Sequence, residues 1–356
     1  RGPYTQEKVD AGSRVESRVM RRNQRGREWW HVACFSSPGG SFVHEIGSQH
    51  MILCCGESLI DMIPTDRADA FTPHVGGSVF NTAIGIGRQS VEVGLLSGVS
   101  TDLFGSQLEE ALEESKVDTS YIIRSERPTT LAFVNVSTDG VSYTFYDENT
   151  AGRLLSPEDM PSSLPKSVDL LFFGGISLAA EPCADAYLGF LQRNKGNRLV
   201  MADPNIRCSF IANESRYRDR LGDLFSCCDI IKISNEDLEW LDPGERGTDK
   251  KVQDILSQGP EIVCLTLGSS GVEVYDRSGR LFVTLAPEVQ VVDTVGAGDA
   301  FNAGLLVGLD RMEAKSRERL SSLPVTQLEG AVTFATAFAT DTVTRPGSNP
   351  PWNFKV

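Results

Sequence analysis

VVDTVGAGDAFNAG, residues 291–304, is the stretch from which the rest of this 356-residue chain can be read. Val291 and Val292 read as the end of a buried strand, Asp293 and Thr294 as a turn, and Gly296-Ala297-Gly298 as a tight connection into a helix starting near Asp299. Small residues there let successive backbone N–H groups converge, and the new helix adds the positive end of its dipole, so the segment is built to hold an anion. Asp299 stands at the mouth of that anion site. A carboxylate in such a place suits proton abstraction from a substrate hydroxyl beside a transferring phosphoryl group. The same residues also read as a glycine-rich turn with an Asp N-cap, and the local pattern alone leaves the two readings even.

Composition narrows the classes. With 33 Gly, 40% hydrophobic and 8% aromatic residues, the chain has the makeup of an α/β protein rather than a fibrous or disordered one. A net charge of −14 argues against a nonspecific nucleic-acid surface, whereas a phosphorylated ligand needs only a local positive field. The longest strongly apolar run, residues 170–180, has 11 residues and is too short to span a bilayer. The eight cysteines include the pairs Cys54-Cys55 and Cys227-Cys228 but no C-x-x-C spacing, which points to reduced thiols and a cytoplasmic location. Only four histidines occur, His31, His44, His50 and His74, too few to favour a zinc site or a Ser-His-Asp triad. Residues 1–50 carry eight Arg or Lys against five Asp or Glu and lack periodicity, so they are expected to be a disordered or non-native extension, with the compact domain beginning at Met51.

From Met51 the chain alternates apolar strands with helical periodicity. Residues 51–55 form a strand, and Asp61 lies just beyond it, a candidate for holding substrate hydroxyls or an ordinary turn residue. Gly76-Gly77-Ser78 opens a helix through Arg88, in which Gly77 would let a ligand approach the backbone and Asn81 could contact a sugar. Residues 93–99 read as a second buried strand and 106–116 as a helix, with Asp102 fixing the turn between them. Two alternating segments, 129–136 and 141–146, flank Asp139-Gly140 and read as a hairpin, most simply a lid that Phe133 or Tyr143 would line. Further strands are expected at 170–174, 198–202, 230–233 and 262–267, with a hairpin at 272–285 and a final Ala- and Thr-rich helix at 326–340. Arg207 falls beyond the second of these strands, where a guanidinium suits phosphate. Ser234-Asn235-Glu236-Asp237 reads as a helix cap in which Glu236 could organise a hydrated magnesium. The alternation predicts a mostly parallel sheet covered on both faces, its loops bringing Asp61, Gly76-Gly77, Arg207 and Asp299 into one crevice.

At this point the sequence resembles the ribokinase-like, or pfkB, carbohydrate kinases over residues 51–350. The resemblance rests on Asp293-Thr294-Val295-Gly296-Ala297-Gly298-Asp299-Ala300-Phe301 together with Gly76-Gly77-Ser78-Val79-Phe80-Asn81. Asp203-Pro204-Asn205-Ile206-Arg207 and Ser234-Asn235-Glu236 add to it, and Arg127-Pro128-Thr129 with Phe145-Tyr146 is most similar to the fructokinase and 2-keto-3-deoxygluconate kinase branches. Neither a Walker-type phosphate loop nor the protein-kinase signature pair is present.

The resemblance implies an α/β, ribokinase-like three-layer sandwich with a mostly parallel central sheet and a small β lid from segments 63–76 and 127–149. It implies transfer of the ATP γ-phosphate to a sugar hydroxymethyl group. Asp299 would be the base, Gly296, Ala297 and Gly298 would donate N–H bonds to developing charge, and Arg207 would orient phosphate or sugar. The sugar pocket would use Asp61, Gly77, Asn81 and Arg127; the nucleotide side would use Thr266, Gly268, Gly271 and Asn235. Glu236 would reach Mg2+ through water, and K+ near Asp293 is typical of the family. The expected partner is a small-molecule sugar, with no nucleic acid and no membrane, and a homodimer is an arrangement the family uses. Fructokinase leads, followed by 2-keto-3-deoxygluconate kinase, then ribokinase or nucleoside kinase; a catalytically silent sugar-binding or regulatory protein is the alternative of a different class.

Overall fold

The computed structural model describes residues 7–10, 14–22, 28–34, 50–67, 69–137 and 140–356, and the chain divides into two units, Arg1–Ser48 and Gln49–Val356. The described residues of the first unit are β1 (Glu7–Asp10), β2 (Arg14–Arg22) and β3 (Glu28–Cys34), paired antiparallel in that order.

In the second unit the chain runs β4 (Met51–Cys55), β5 (Leu59–Pro64), β6 (Phe71–Gly76), α1 (Ser78–Arg88), β7 (Val93–Leu96), β8 (Gly98–Ser100), α2 (Leu103–Glu114), β9 (Ile123–Ser125), β10 (Leu131–Ser137) and β11 (Gly140–Tyr146). It continues through β12 (Val168–Gly174), α3 (Cys183–Asn194), β13 (Leu199–Asp203), α4 (Glu214–Cys227), β14 (Ile230–Ser234), α5 (Asn235–Leu241), α6 (Thr248–Ser257) and β15 (Ile262–Thr266). β16 (Val272–Asp276), β17 (Gly279–Thr284), α7 (Ala297–Arg311), α8 (Arg317–Ser321) and α9 (Val325–Thr342) complete it.

The main sheet has the order β17-β16-β15-β14-β13-β12-β4-β7, parallel from β15 to β7, with β16 and β17 added antiparallel at one edge. Its inner strands are near-continuous apolar runs because helices cover both faces. The period-two alternation then sorts each strand between two layers. Ile52 and Cys54 pack with side chains of α1, α7 and α9, whereas Leu53 and Cys55 pack with those of α3, α4 and α6. The small residues of the last helix serve close packing: a Cβ at Gly304 or Gly308 of α7 would come within 2.7 or 2.8 Å of Ala335 or Ala331 of α9. The expected hairpin is present as β10 and β11, and it joins β5 and β6 in a separate four-stranded sheet, order β11-β10-β5-β6, which is the small β lid.

Three local expectations are corrected. Val291 and Val292 do not end a buried strand; they are 55% and 57% exposed in an extended segment whose Val292 and Asp293 N–H groups both donate to the Val343 carbonyl at the end of α9. That carbonyl, left over by the helix, takes the bonds that a sheet neighbour would otherwise provide. The single strand expected over 93–99 divides, because Gly98 packs directly on the Ala151 and Gly152 backbone and β8 leaves the main sheet to pair with β9. The helix expected from 106 starts at Leu103, since Asp102 caps it by accepting the Gly105 N–H at 2.8 Å. Asp102 also accepts from the Thr129 N–H and hydroxyl, tying this turn to the approach to the lid.

Among the cysteines described, Cys54, Cys55, Cys183, Cys228 and Cys264 are buried free thiols, while Cys208 is exposed and Cys227 half-buried. No helix among the described residues is long and apolar enough to cross a membrane.

Candidate active site

Parallel strands deliver their C-terminal loops to one edge of the sheet. There, one cleft is lined by residues from β5, the first turns of α1 and α7, the lid, and the ends of β13 and β14. Asp61, Gly77, Asn81, Arg207, Gly296, Ala297, Gly298 and Asp299 all line it, so of the residues expected to share a crevice all but Gly76 do.

Gly77 has φ 107°, and a Cβ there would lie 3.0 Å from the Glu57 carbonyl, so the sharp entry into α1 requires glycine. The turn aims Ser78 and Asn81 at Asp299, which stands in the first turn of α7. The Ser78 hydroxyl donates to one carboxylate oxygen of Asp299 at 2.7 Å and the Asn81 amide to the other at 2.9 Å. Burial raises the Asp299 pKa above the ordinary carboxylate value, the two hydrogen bonds pull against it, nearby Asp203 adds to the rise and Lys232 opposes it. The outcome is a carboxylate fixed in orientation and more basic than one in water, which is what a general base needs.

Gly296 precedes α7 in the left-handed region, φ 78°, and offers no side chain to cap the helix. A Cβ there would fall 2.2 Å from the Ser348 hydroxyl oxygen. The Ala297 N–H donates to the Thr294 carbonyl at 3.3 Å, so of the three amides expected to face an anion, this one is already engaged. Gly298 and Asp299 are the next positions whose N–H groups the helix itself does not use.

Asp61 stands on β5, within the lid sheet, rather than on a loop. Burial, and then the neighbouring Asp299 charge, push its pKa up to about 6. Arg207 is exposed at the rim; its loop is held by the Ile206 N–H donating to Asp237 at 3.1 Å.

Other expected residues lie outside the cleft lining. Arg127 is exposed, its backbone N–H bonded to the Ser125 hydroxyl. Thr266, Gly268 and Gly271 stand at the end of β15, the strand beside β14, and Gly268 at φ 56° has open space around it. Asn235 and Glu236 are exposed on the first turn of α5, which Ser234 caps by accepting the Asp237 N–H at 3.0 Å. Asp293 accepts the Val295 N–H at 3.0 Å and the Gly347 N–H at 2.8 Å, joining the loop before α7 to the loop after α9. Among the described residues no group of three His, Cys, Asp or Glu side chains could hold a metal by itself.

The structure also places residues that sequence reasoning missed. In the sequence Ser78 is only the residue that closes a glycine turn. Glu57 lines the cleft and accepts the N–H groups of Ser78 at 3.1 Å and Ser177 at 3.3 Å. Lys232 and Asp203 form a buried pair at 2.9 Å in the cleft wall. A polar residue after Gly56 and a lysine inside an apolar strand were the available signals.

Residues 49–354 match the family described as pfkB family carbohydrate kinase. The chain belongs to the pfkB family of carbohydrate kinases. This pfkB kinase is 39% identical over 277 residues to a fructokinase of Rhizobium leguminosarum bv. trifolii, covering 77% of the chain and 84% of that protein. It is 30% identical to fructokinase-1 of Oryza sativa subsp. japonica, covering 85% of the chain and 95% of that protein. The crystal structure of the Xylella fastidiosa fructokinase with bound ATP superposes with a TM-score of 0.77 at 26% identity, over 84% of this chain and 94% of that one. These similarities lie in the fructokinase branch of the pfkB kinases, and they make the protein an ATP-dependent sugar kinase.

Proposed function

We propose that this pfkB kinase transfers the γ-phosphoryl group of ATP to a primary hydroxymethyl group of fructose. The observation that carries the reading is the buried Asp299 carboxylate, oriented by Ser78 and Asn81 at the N-terminus of α7 in the cleft that Asp61 and Arg207 also line. The sugar oxygen forms a bond to the γ-phosphorus as the bridging P–O bond breaks, the bond pair leaves with ADP, and the hydroxyl proton passes to Asp299 and then to solvent. Asp299 takes that proton, the first turn of α7 faces the growing negative charge, and Arg207 orients phosphate at the rim. Asp61, Gly77 and Asn81 hold sugar hydroxyls, while Thr266, Gly268, Gly271 and Asn235 serve the nucleotide.

The donor set suits Mg2+ carried mainly by the nucleotide phosphates, with Glu236 reaching it through water. Such an ion neutralises phosphate charge during transfer. Each Asp293 oxygen accepts one backbone N–H bond and keeps acceptor capacity, so Asp293 would be the residue to hold a K+ at the loops it joins. The lid sheet, which brings Asp61, Tyr143 and Phe145 to the cleft, would exclude water around the sugar.

Fructose is favoured over 2-keto-3-deoxygluconate by charge as well as by relatives. Four carboxylates, Glu57, Asp61, Asp203 and Asp299, line the cleft against two cations, Lys232 and Arg207, and this negative balance disfavours a sugar acid. The deciding experiment is a magnesium-ATP panel with fructose, 2-keto-3-deoxygluconate, ribose and adenosine, read by product mass. Fructose phosphate as the main product is expected; preferential phosphorylation of another acceptor overturns the substrate, and binding without any product would leave a silent sugar-binding protein.

A further inference from the structure

Lys232 is 4% exposed, yet it lines the cleft. The two cations in that lining are Arg207, exposed at the rim, and Lys232 in the wall. Its ammonium donates to Asp203 at 2.9 Å. The same Asp203 oxygen accepts the Asn302 amide at 2.8 Å, and the other oxygen accepts the Asn205 N–H at 3.2 Å. Asp203 is thus fixed by two other donors and holds the ammonium in turn.

The position of that ammonium is informative. A Cβ built at Gly298 would lie 3.2 Å from Lys232 Nζ, so the glycine leaves the ammonium close against the first turn of α7. One of its three N–H donors is taken by Asp203. A buried ion pair is weak evidence for stability, since an apolar pair of similar size often does as well. Next to helix N–H groups at an anion site, however, a desolvated cation acts strongly on charge that develops there.

We propose that Lys232 faces the transferred phosphoryl group from beneath the α7 N-terminus and stabilises its equatorial oxygens, opposite the proton transfer to Asp299. Asp203 and Asn302 are its positioning residues. The proposal rests on phosphoryl transfer in this cleft and adds a cation to it. The ammonium keeps its protons throughout; the bonds made and broken are those of the transfer already described.

The test compares wild type, Lys232→Met and the double variant Lys232→Met with Asp203→Asn, which removes both charges and leaves no unpaired buried carboxylate. Each is checked for folding by thermal unfolding, for turnover with the preferred sugar of the panel, and for binding of ADP alone and of ADP with aluminium fluoride and that sugar. The expected result is a folded double variant with turnover down by about 100-fold or more. Its ADP affinity should stay within about twofold of wild type. Its affinity for the aluminium fluoride complex should fall by a factor comparable to the turnover loss. A folded double variant that regains turnover to within about threefold of wild type, or binds the fluoride complex as wild type does, would overturn the proposal, because a purely structural pair predicts that recovery. A wild-type chain inactive on every sugar of the panel overturns the function and this inference with it. An active wild type with an unimpaired double variant overturns this inference alone.

Discussion

The Ser78 hydroxyl donates a 2.7 Å hydrogen bond to Asp299 across 221 positions of sequence, joining the first turns of α1 and α7. With the Asn81 amide on the other oxygen, it fixes the carboxylate that the proposed reaction uses as a base. Hydrogen bonds to a charged carboxylate lower its pKa, and here they oppose a larger upward push from burial. Asp61, Glu57, Asp203, Lys232 and Arg207 are the other charged groups lining the same cleft.

Ser78→Ala should therefore let the Asp299 pKa rise further. The acid limb of the kcat/KM profile moves to higher pH, so activity is lost first at the low end, and turnover at the optimum falls by about tenfold, near one charge-assisted hydrogen bond. A pH–rate profile superimposable on that of wild type would remove Ser78 from this role.

Asp61 carries a raised pKa of about 6, the reverse of the usual salt-bridged carboxylate. The folded state then binds this proton more tightly than the unfolded chain does. The charged form costs stability above pH 6, and that cost fades as pH falls toward the ordinary value. Asp61→Asn should raise Tm at pH 8 by about 2–4 °C and give no gain at pH 4. It should also weaken sugar binding, seen as a higher KM. Equal Tm changes at both pH values would show that Asp61 is not held charged at a cost.

Much of this site can be read from sequence, because its parts depend on residue types with few other uses. Gly77 and Gly296 sit at positive φ with no room for a Cβ, and such positions announce themselves as glycines. Asp299 follows Gly298 at a helix start, where a carboxylate and backbone N–H groups meet. The parallel sheet is visible in runs such as β12 and β14. Lys232 and Asp203 are not legible in the same way, because a lysine inside one strand and an aspartate ending another show no partnership until the β13–β14 pairing sets them 2.9 Å apart. Val291 and Val292 mislead for the opposite reason: their residue type suggests a strand, while the Val343 carbonyl takes the Val292 and Asp293 N–H groups and both valine side chains are exposed.

Gly296→Ala tests the anion corner through the backbone. The substitution forces a non-glycine residue to φ 78° and brings its Cβ within 2.2 Å of the Ser348 hydroxyl oxygen, so the loop after α9 must give way. The expected loss is at least about 1 kcal/mol of stability, as for a residue held at positive φ. Turnover should fall by more than about tenfold with sugar KM little changed, because the α7 N–H groups move off the phosphoryl position. Unaltered turnover would mean that the turn into α7 is scaffolding only.

The most direct measurement is Asp299→Asn, assayed for sugar phosphorylation alongside ATP binding. The Asn amide is close to the carboxylate in shape but cannot take the hydroxyl proton. Turnover should drop by at least about 100-fold while ATP affinity stays within about twofold. Near-normal phosphorylation by a folded, ATP-binding variant would contradict the assignment of Asp299 as the base.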